Sequence, residues 1–322
     1  MGEPLKHHFL PVFYLKQWAG TDGRLVEFSK PYKNVVKPRR VHPKGTGYVD
    51  RLYTIDGLPD ELAQEIEREF LSPVDSRAAD AMHALLMRKT LSDAQRAAWA
   101  AFLGTLLLRM PQDIEKFKEI ADRINTALIP RFEQLYMLIR PEVGGPPPEE
   151  FRAHMERTAA PMTMQNARKF MSHEKLLGGL NSMSWNVVET DGACHELFCS
   201  DRPVVFTDRL GDYNSHLVVP VGPRHLFIAT RTDSFFDQLR RIDVDKLVQA
   251  TNAQTVGAAS RLVYGRSDAH LRYVQNRMGT VQTVPLIERL SEAVLDSGLL
   301  QEVGRELGSL KRQDLWKEGS PR

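Results

Sequence analysis

The chain has 322 residues, 42% hydrophobic and 26% charged, enough apolar material for a large core and unlike a disordered, fibrous or disulfide-stapled class. Basic and acidic residues number 43 and 41, a net charge of +2, so bulk charge singles out no polyanionic partner and a nucleic-acid site must rest on a local patch. The two cysteines, Cys194 and Cys199, lack the spacing and the second pair of a zinc site and read as reduced thiols.

In chain order, Pro11 to Trp18 reads as a short helix with Pro11 in its first turn and Gly20 past its end. Leu25 to Phe28 and Tyr48 to Ile55 read as strands, separated by a basic loop. A helical block follows. Asp60 to Phe70 places Leu62, Ala63, Ile66 and Phe70 on one face, and Asp75 to Met87 continues the pattern. Ser92 and Gln95 form a capping box ahead of Ala97 to Met110, whose apolar residues cover most of its circumference and predict a buried helix. Asp113 to Ile139 is a long amphipathic stretch interrupted near Pro130.

Val143 to Pro148 is a Gly-Pro linker signal or a loop tip, after which the helical pattern resumes at Phe151. The period then changes. Trp185 to Glu189, Glu196 to Cys199, Val204 to Phe206, Leu217 to Pro220 and Leu226 to Ala229 read as short strands. Their connections are too short for parallel crossovers, so the sheet is antiparallel. Helices return over Asp243 to Val263 and Pro285 to Leu295. The expectation is an α+β fold, mostly helical with a small antiparallel sheet. Residues 1–308 form one domain, or two closely packed lobes divided near 143–148, and 309–322 are a charged tail. The longest uncharged apolar stretch, Ala97 to Leu108, falls short of the about 20 residues of a membrane span. With no signal-peptide run at the start, a cytoplasmic protein with no membrane partner is expected.

Several polar residues stand out. His7 and His8 precede a Pro-led helix, and one of them can serve as an acid, a base or a metal ligand. Glu67 lies at the edge of an apolar helix face. Arg109 closes the most apolar helix and needs an anionic partner, either Glu67, Asp201 or a phosphate. Asp201 follows a strand, where it either serves chemistry or caps its own turn. Asn252 sits in a late helix. Lys37, Arg39, Arg40 and Lys44 lie in a segment free of acidic residues, suited to a phosphate backbone or to a solvated loop.

Together, the opening His7-His8-Phe9-Leu10-Pro11-Val12-Phe13-Tyr14-Leu15, the helix bearing Glu67, Leu108-Arg109-Met110-Pro111, Phe198-Cys199-Ser200-Asp201-Arg202-Pro203 and Asn252 resemble a widespread bacterial family of unknown function. Its members begin His-His-aromatic-x-Pro-x-x-Tyr-Leu. The resemblance covers most of the chain and carries over positions without chemistry. Arg202 stands where the family usually has Asn.

No phosphate-binding Gly-rich loop, nucleophile elbow or kinase set is present, which excludes nucleotide-driven and serine-hydrolase chemistry. Two readings remain. The first is a hydrolase on nucleic acid, RNA foremost, working by acid–base or divalent-metal-assisted phosphodiester cleavage. In it His7 or His8 is the acid, base or ligand, Glu67 and Asp201 the carboxylates and Arg109 the phosphate clamp. The second is a non-catalytic sensor or protein-interaction module whose polar cluster is structural. A toxin or defence role suits either. Convergence of these residues in an open cleft favours the enzyme; residues scattered or sealed in the core favour the interaction module.

Overall fold

The computed structural model describes residues 6–32, 34–54, 66–207, 212–282, 284 and 286–288. The chain divides into two compact units, Met1–Pro111 with Ala167–Thr283, and Gln112–Asn166 with Val284–Arg322. The fold is α+β, with more helix than strand and every sheet antiparallel.

In the first unit, β1 (Lys6–His8) pairs with β4 (Tyr48–Asp50), setting His7 opposite Val49 and His8 opposite Tyr48. The chain then turns at Pro11 into α1 (Val12–Leu15) and a 3-10 turn, Lys16–Trp18. Gly47 fixes this entry. Its carbonyl accepts from the N–H groups of Phe9 (2.9 Å) and Leu10 (3.1 Å). The predicted strand through Ile55 is shorter than expected: residues 51–53 turn, with Arg51 at φ 59°, and Ile55 lies outside the described residues.

The basic segment is not a loop. β2 (Leu25–Tyr32) and β3 (Val35–Val41) form a hairpin with Leu25 opposite Val41 and Ser29 opposite Lys37. β3 is the edge of a sheet ordered β3-β2-β10-β6, with β10 at Leu262–Gly265 and β6 at Cys199–Ser200. Charges and Pro38 suit an edge strand, which explains a strand built from a loop-like sequence. At the start of the outer edge of β3, one side chain takes two backbone groups. Val36 N–H donates to Gln275 Oε1 at 2.6 Å, and Gln275 Nε2 donates to the Asn34 carbonyl at 3.0 Å.

A second sheet is ordered β5-β9-β8-β7, with β5 at Ser184–Glu189, β7 at Val205–Phe206, β8 at His216–Gly222 and β9 at His225–Thr230. The predicted strands therefore belong to two sheets. Glu196 to Phe198 are not strand, because side chains and loops take their backbone groups. Leu197 N–H donates to the Pro223 carbonyl (2.8 Å), the Leu197 carbonyl accepts from the Trp18 indole (2.8 Å), and Phe198 N–H donates to Asn252 (2.9 Å).

Among the described residues, the helical part opens on a π-turn, Ile66–Leu71, leading into α2 (Ser72–Leu86). The predicted helix from Asp60 begins outside the described residues. α3 (Asp93–Leu108) opens with the predicted capping box, Gln95 N–H donating to Ser92 Oγ and Ser92 N–H to Gln95 Oε1. It is buried from Ala98 onward apart from a half-buried Ala101. Its Trp99 meets Phe227 of β9, and its Phe102 meets Phe13 and Tyr14 of α1, which fastens α3 between the N-terminal segment and the second sheet. Gly104 permits a close approach there: a Cβ would fall 2.8 Å from Leu177 Cδ2 of the following helix α6 (Glu174–Asn181) and 3.2 Å from the Met171 carbonyl.

In the second unit, α4 (Pro111–Val143) and α5 (Pro148–Met171) follow one another across a short turn, with Tyr136 stacked on Phe151 at 4.1 Å. The first residue of α4 and the last turn of α5 belong to the first unit. α4 runs through Pro130 without the expected interruption. The Gly-Pro segment lies inside this unit as the turn between the two helices, with Gly144 at φ 69° and Gly145 at φ 115°. Of the predicted helix from Pro285, residues 286–288 are described and helical; Leu286 N–H donates to Asp113 Oδ1 at 3.0 Å. The tail from Ser309 lies outside the described residues.

Back in the first unit, α7 (Asp233–Leu239) was not apparent in the sequence, and α8 (Val244–Gly257) starts at the expected cap, Asp243 accepting from Lys246 N–H. α8 ends before Val263, which belongs to β10, and α9 (Leu271–Arg277) follows. Among the described residues, no helix is long and apolar enough to cross a membrane.

Candidate functional site

The two adjacent histidines face different surroundings, as alternation along a strand requires. His7 is buried, stacks on the Tyr53 ring at 5.1 Å and accepts the Tyr53 N–H on Nδ1 at 3.1 Å. That bond places the proton of a neutral His7 ring on Nε2. His8 is half-buried, edge-on to Tyr48 at 5.6 Å. Burial lowers the His8 pKa below 6.5; the Lys44 carbonyl opposes this, and the charges of Arg109 and Lys6 add to it.

The His8 backbone N–H donates to the Glu67 carboxylate. Glu67 lies on the π-turn, a type of irregularity frequent at functional sites. Burial pushes its pKa from 4.5 up to about 7; Arg109 opposes the shift and Asp75 reinforces it. Arg109, the C-cap of α3, is fully sealed at 0% exposure, and its Nη1 donates to Asp75 Oδ1 at 2.9 Å. Its expected partner was Glu67, Asp201 or a phosphate; Asp75 holds the direct bond. Burial raises the Asp75 pKa against the pull of Arg109. Tyr53 completes the cluster, its pKa raised by burial and by the Glu67 charge.

Five polar atoms in this cluster are buried without a hydrogen-bond partner among the described residues: His8 Nε2, Tyr53 Oη, Glu67 Oε2, and Nε and Nη2 of Arg109. Unpaired buried groups are costly, so a concentration of them in one cluster calls for an explanation. Sequence reasoning missed Tyr53 and Asp75. For Asp75 a signal existed, since it shares the buried helix face of Ala78 and Met82 at i+3 and i+7.

The expected constellation divides. His8, Glu67 and Arg109 come together with His7 beside them through Tyr53, whereas Asp201 and Asn252 serve the backbone elsewhere. Asp201 Oδ1 accepts from Ser260 N–H (2.9 Å), and Oδ2 accepts from Ser260 Oγ (2.8 Å), Arg261 N–H (2.6 Å) and Leu262 N–H (3.2 Å). It staples the entry of β10 to β6 instead of capping its own turn. Burial raises its pKa and these bonds oppose the rise. Asn252 accepts from Phe198 N–H and donates to the Glu196 carbonyl at 2.8 Å, using both ends of its carboxamide. Neither shares a hydrogen bond or ion pair with His8, Glu67 or Arg109.

Lys37, Arg39, Arg40 and Lys44 are all exposed. Two are engaged: Arg39 Nη2 bonds the buried Glu27 at 3.0 Å, and Arg40 Nη2 bonds Asp22 at 2.6 Å. Lys37 and Lys44 make no ion pair among the described residues. Both cysteines are free, Cys194 exposed and Cys199 buried. Among the described residues, no group of three or more His, Cys, Asp or Glu side chains is placed to hold a metal ion.

Comparison with the curated proteins finds no match, and comparison with the solved structures finds none. A family model described as protein of unknown function (DUF4238) matches residues 6–269. That span opens on the first strand and takes in every residue of the cluster, and the chain belongs to this family.

Proposed function

We propose that the chain cleaves single-stranded RNA by acid–base catalysis at His8 and Glu67. The observation that supports this reading is the set of unpartnered buried atoms: a base nitrogen, an acid oxygen and two guanidinium N–H groups in one cluster. The titration order adds to it. With His8 held below 6.5 and Glu67 raised to about 7, the imidazole is neutral while the carboxyl, which takes the His8 backbone N–H, retains its proton near neutrality. His8 Nε2 takes the proton of the ribose 2′-hydroxyl, and the 2′-oxygen attacks phosphorus. The new 2′-O–P bond forms as the P–5′-O bond breaks, and Glu67 gives its proton to the leaving 5′-oxygen. Arg109 Nε and Nη2 donate to the non-bridging oxygens, where charge accumulates. Arg109 is sealed at 0% exposure, so this reading requires the cluster to open before the phosphate reaches it.

A second reading has its own observation. Arg109 already has Asp75, and Asp201 and Asn252 are consumed by the backbone. On that reading the cluster is structural and the chain is a sensor or interaction module.

The two separate in one assay of single-stranded RNA and DNA, run with chelator and with divalent metals. The catalytic reading expects RNA cut in chelator to a 2′,3′-cyclic phosphate and a 5′-hydroxyl, with DNA intact. His8→Ala and Glu67→Gln lower the rate by about 100-fold or more. Lys37→Glu with Lys44→Glu weakens RNA binding and flattens its salt dependence. RNA left intact under every condition, together with a His8→Ala protein melting several degrees lower, establishes the second reading.

A further inference from the structure

α8 and α9 enclose a second feature. Between them and the segment at 195–198 lies a pocket of about 290 Å3, walled by His195, Phe198, Gln249, His270, Tyr273 and Arg277, among others. Its walls are mostly ring faces in two orientations. Phe198 and Tyr273 are parallel within 9°, with centroids 6.0 Å apart. His270 stands edge-on to Phe198 at 84°, and His195 edge-on to His270 at 89°. A flat ring laid along Tyr273 therefore meets His270 at the right angle that aromatic pairs favour.

Its polar groups are unspent. The Arg277 guanidinium forms no ion pair and the Gln249 carboxamide no hydrogen bond among the described residues, and no Asp or Glu lines the pocket. Asn252 also borders it, yet its carboxamide is used up in holding the Glu196–Phe198 wall. The ligand chemistry follows: a planar ring for the aromatic faces, a donor–acceptor edge for Gln249, and an anion for Arg277. The volume lies at the small end of the about 300–1,000 Å3 range of ligand pockets.

We propose that this pocket binds one nucleotide, its base stacked along the Phe198 and Tyr273 rings and its phosphate on Arg277. The source is either a free nucleoside monophosphate or the end of an RNA strand. The proposal does not rest on RNA cleavage, and binding is read separately from activity.

Calorimetric titration of the full chain with the four nucleoside monophosphates, adenosine, ribose 5-phosphate and a 5′-phosphorylated tetranucleotide tests it. At least one monophosphate or the tetranucleotide binds, and base and phosphate are both needed: each of the two fragments binds about tenfold more weakly or worse. Arg277→Gln erases the advantage of the phosphate, and Gln249→Trp, at an exposed helix position, fills the pocket and abolishes binding without lowering the melting temperature. Monophosphate binding assigns the free nucleotide; binding of the tetranucleotide alone assigns the strand end. Absence of binding by every probe at millimolar concentration overturns the proposal. So does binding that Arg277→Gln leaves unchanged, a measurement available even if Gln249→Trp does not fold.

Discussion

Arg109 and Asp75 form an unequal ion pair: the guanidinium is sealed at 0% exposure while the carboxylate side chain keeps 19%. Removing the carboxylate leaves a buried cation without its ion-pair partner. Asp75→Ala should cost about 3 kcal/mol, within the range for breaking a buried pair, and replacing both partners with Arg109→Met and Asp75→Ala should recover most of it. Urea unfolding of the three proteins checks this. An Asp75→Ala variant within about 0.5 kcal/mol of the parent would place the pair among interactions of little net worth.

Glu67 makes stability depend on pH in an unusual direction. Its folded pKa of about 7 lies above the ordinary 4.5, so between those values the folded state binds more protons than the unfolded state. Stability therefore falls as pH rises through that window. Glu67→Gln removes the dependence. Its melting temperature should match the parent well below 4.5 and exceed it by several degrees well above 7. A constant difference between the two proteins across the window would show that Glu67 is ordinary in the folded state.

If the RNA reading is right, the rate profile is bell-shaped. The acid limb reports His8, whose pKa lies below 6.5, and the alkaline limb reports Glu67 near 7. Asp75→Asn removes a negative charge that helps raise Glu67, so the alkaline limb moves to lower pH while the acid limb stays. An alkaline limb unmoved in Asp75→Asn assigns it to another group.

Gly47 sits at φ 69°, and a Cβ there would lie 2.9 Å from Leu15 Cδ1 and 3.1 Å from the Leu10 carbonyl. Gly47→Ala should cost about 1–3 kcal/mol through the strained backbone. It should also displace His8, because the same glycine carbonyl anchors Phe9 and Leu10. Thermal melting and RNA cleavage should fall together; an unchanged melting temperature contradicts the strain argument.

What the sequence revealed was mostly local. The Ser92–Gln95 box and the buried Ala97 to Met110 helix depend on near neighbours and on one dominant apolar pattern, and both form. Glu196 to Phe198 looked like strand because residue type carries no sign that Trp18, Asn252 and Pro223 would claim its backbone. Asp201 looked like a free carboxylate for the same reason, its partners lying about sixty residues on. Pro130 was expected to break a helix that continues through it. In the site, His8, Glu67 and Arg109 were identifiable as polar residues set among apolar ones. Asp75 and Tyr53 were not singled out, because their role appears only where α2, α3 and the N-terminal segment meet.

Gln275 on α9 behaves as a counterfeit strand. With one carboxamide it answers both the donor of Val36 and the acceptor of Asn34, two backbone groups at the start of the exposed edge of β3. Its amide nitrogen also makes the arrangement chemically perishable. Hydrolysis to Glu would keep the acceptor for Val36 but set a carboxylate oxygen against the Asn34 carbonyl. A single slow, spontaneous reaction at one side chain would thus cost the edge of β3 the hydrogen bond that holds the Asn34 carbonyl.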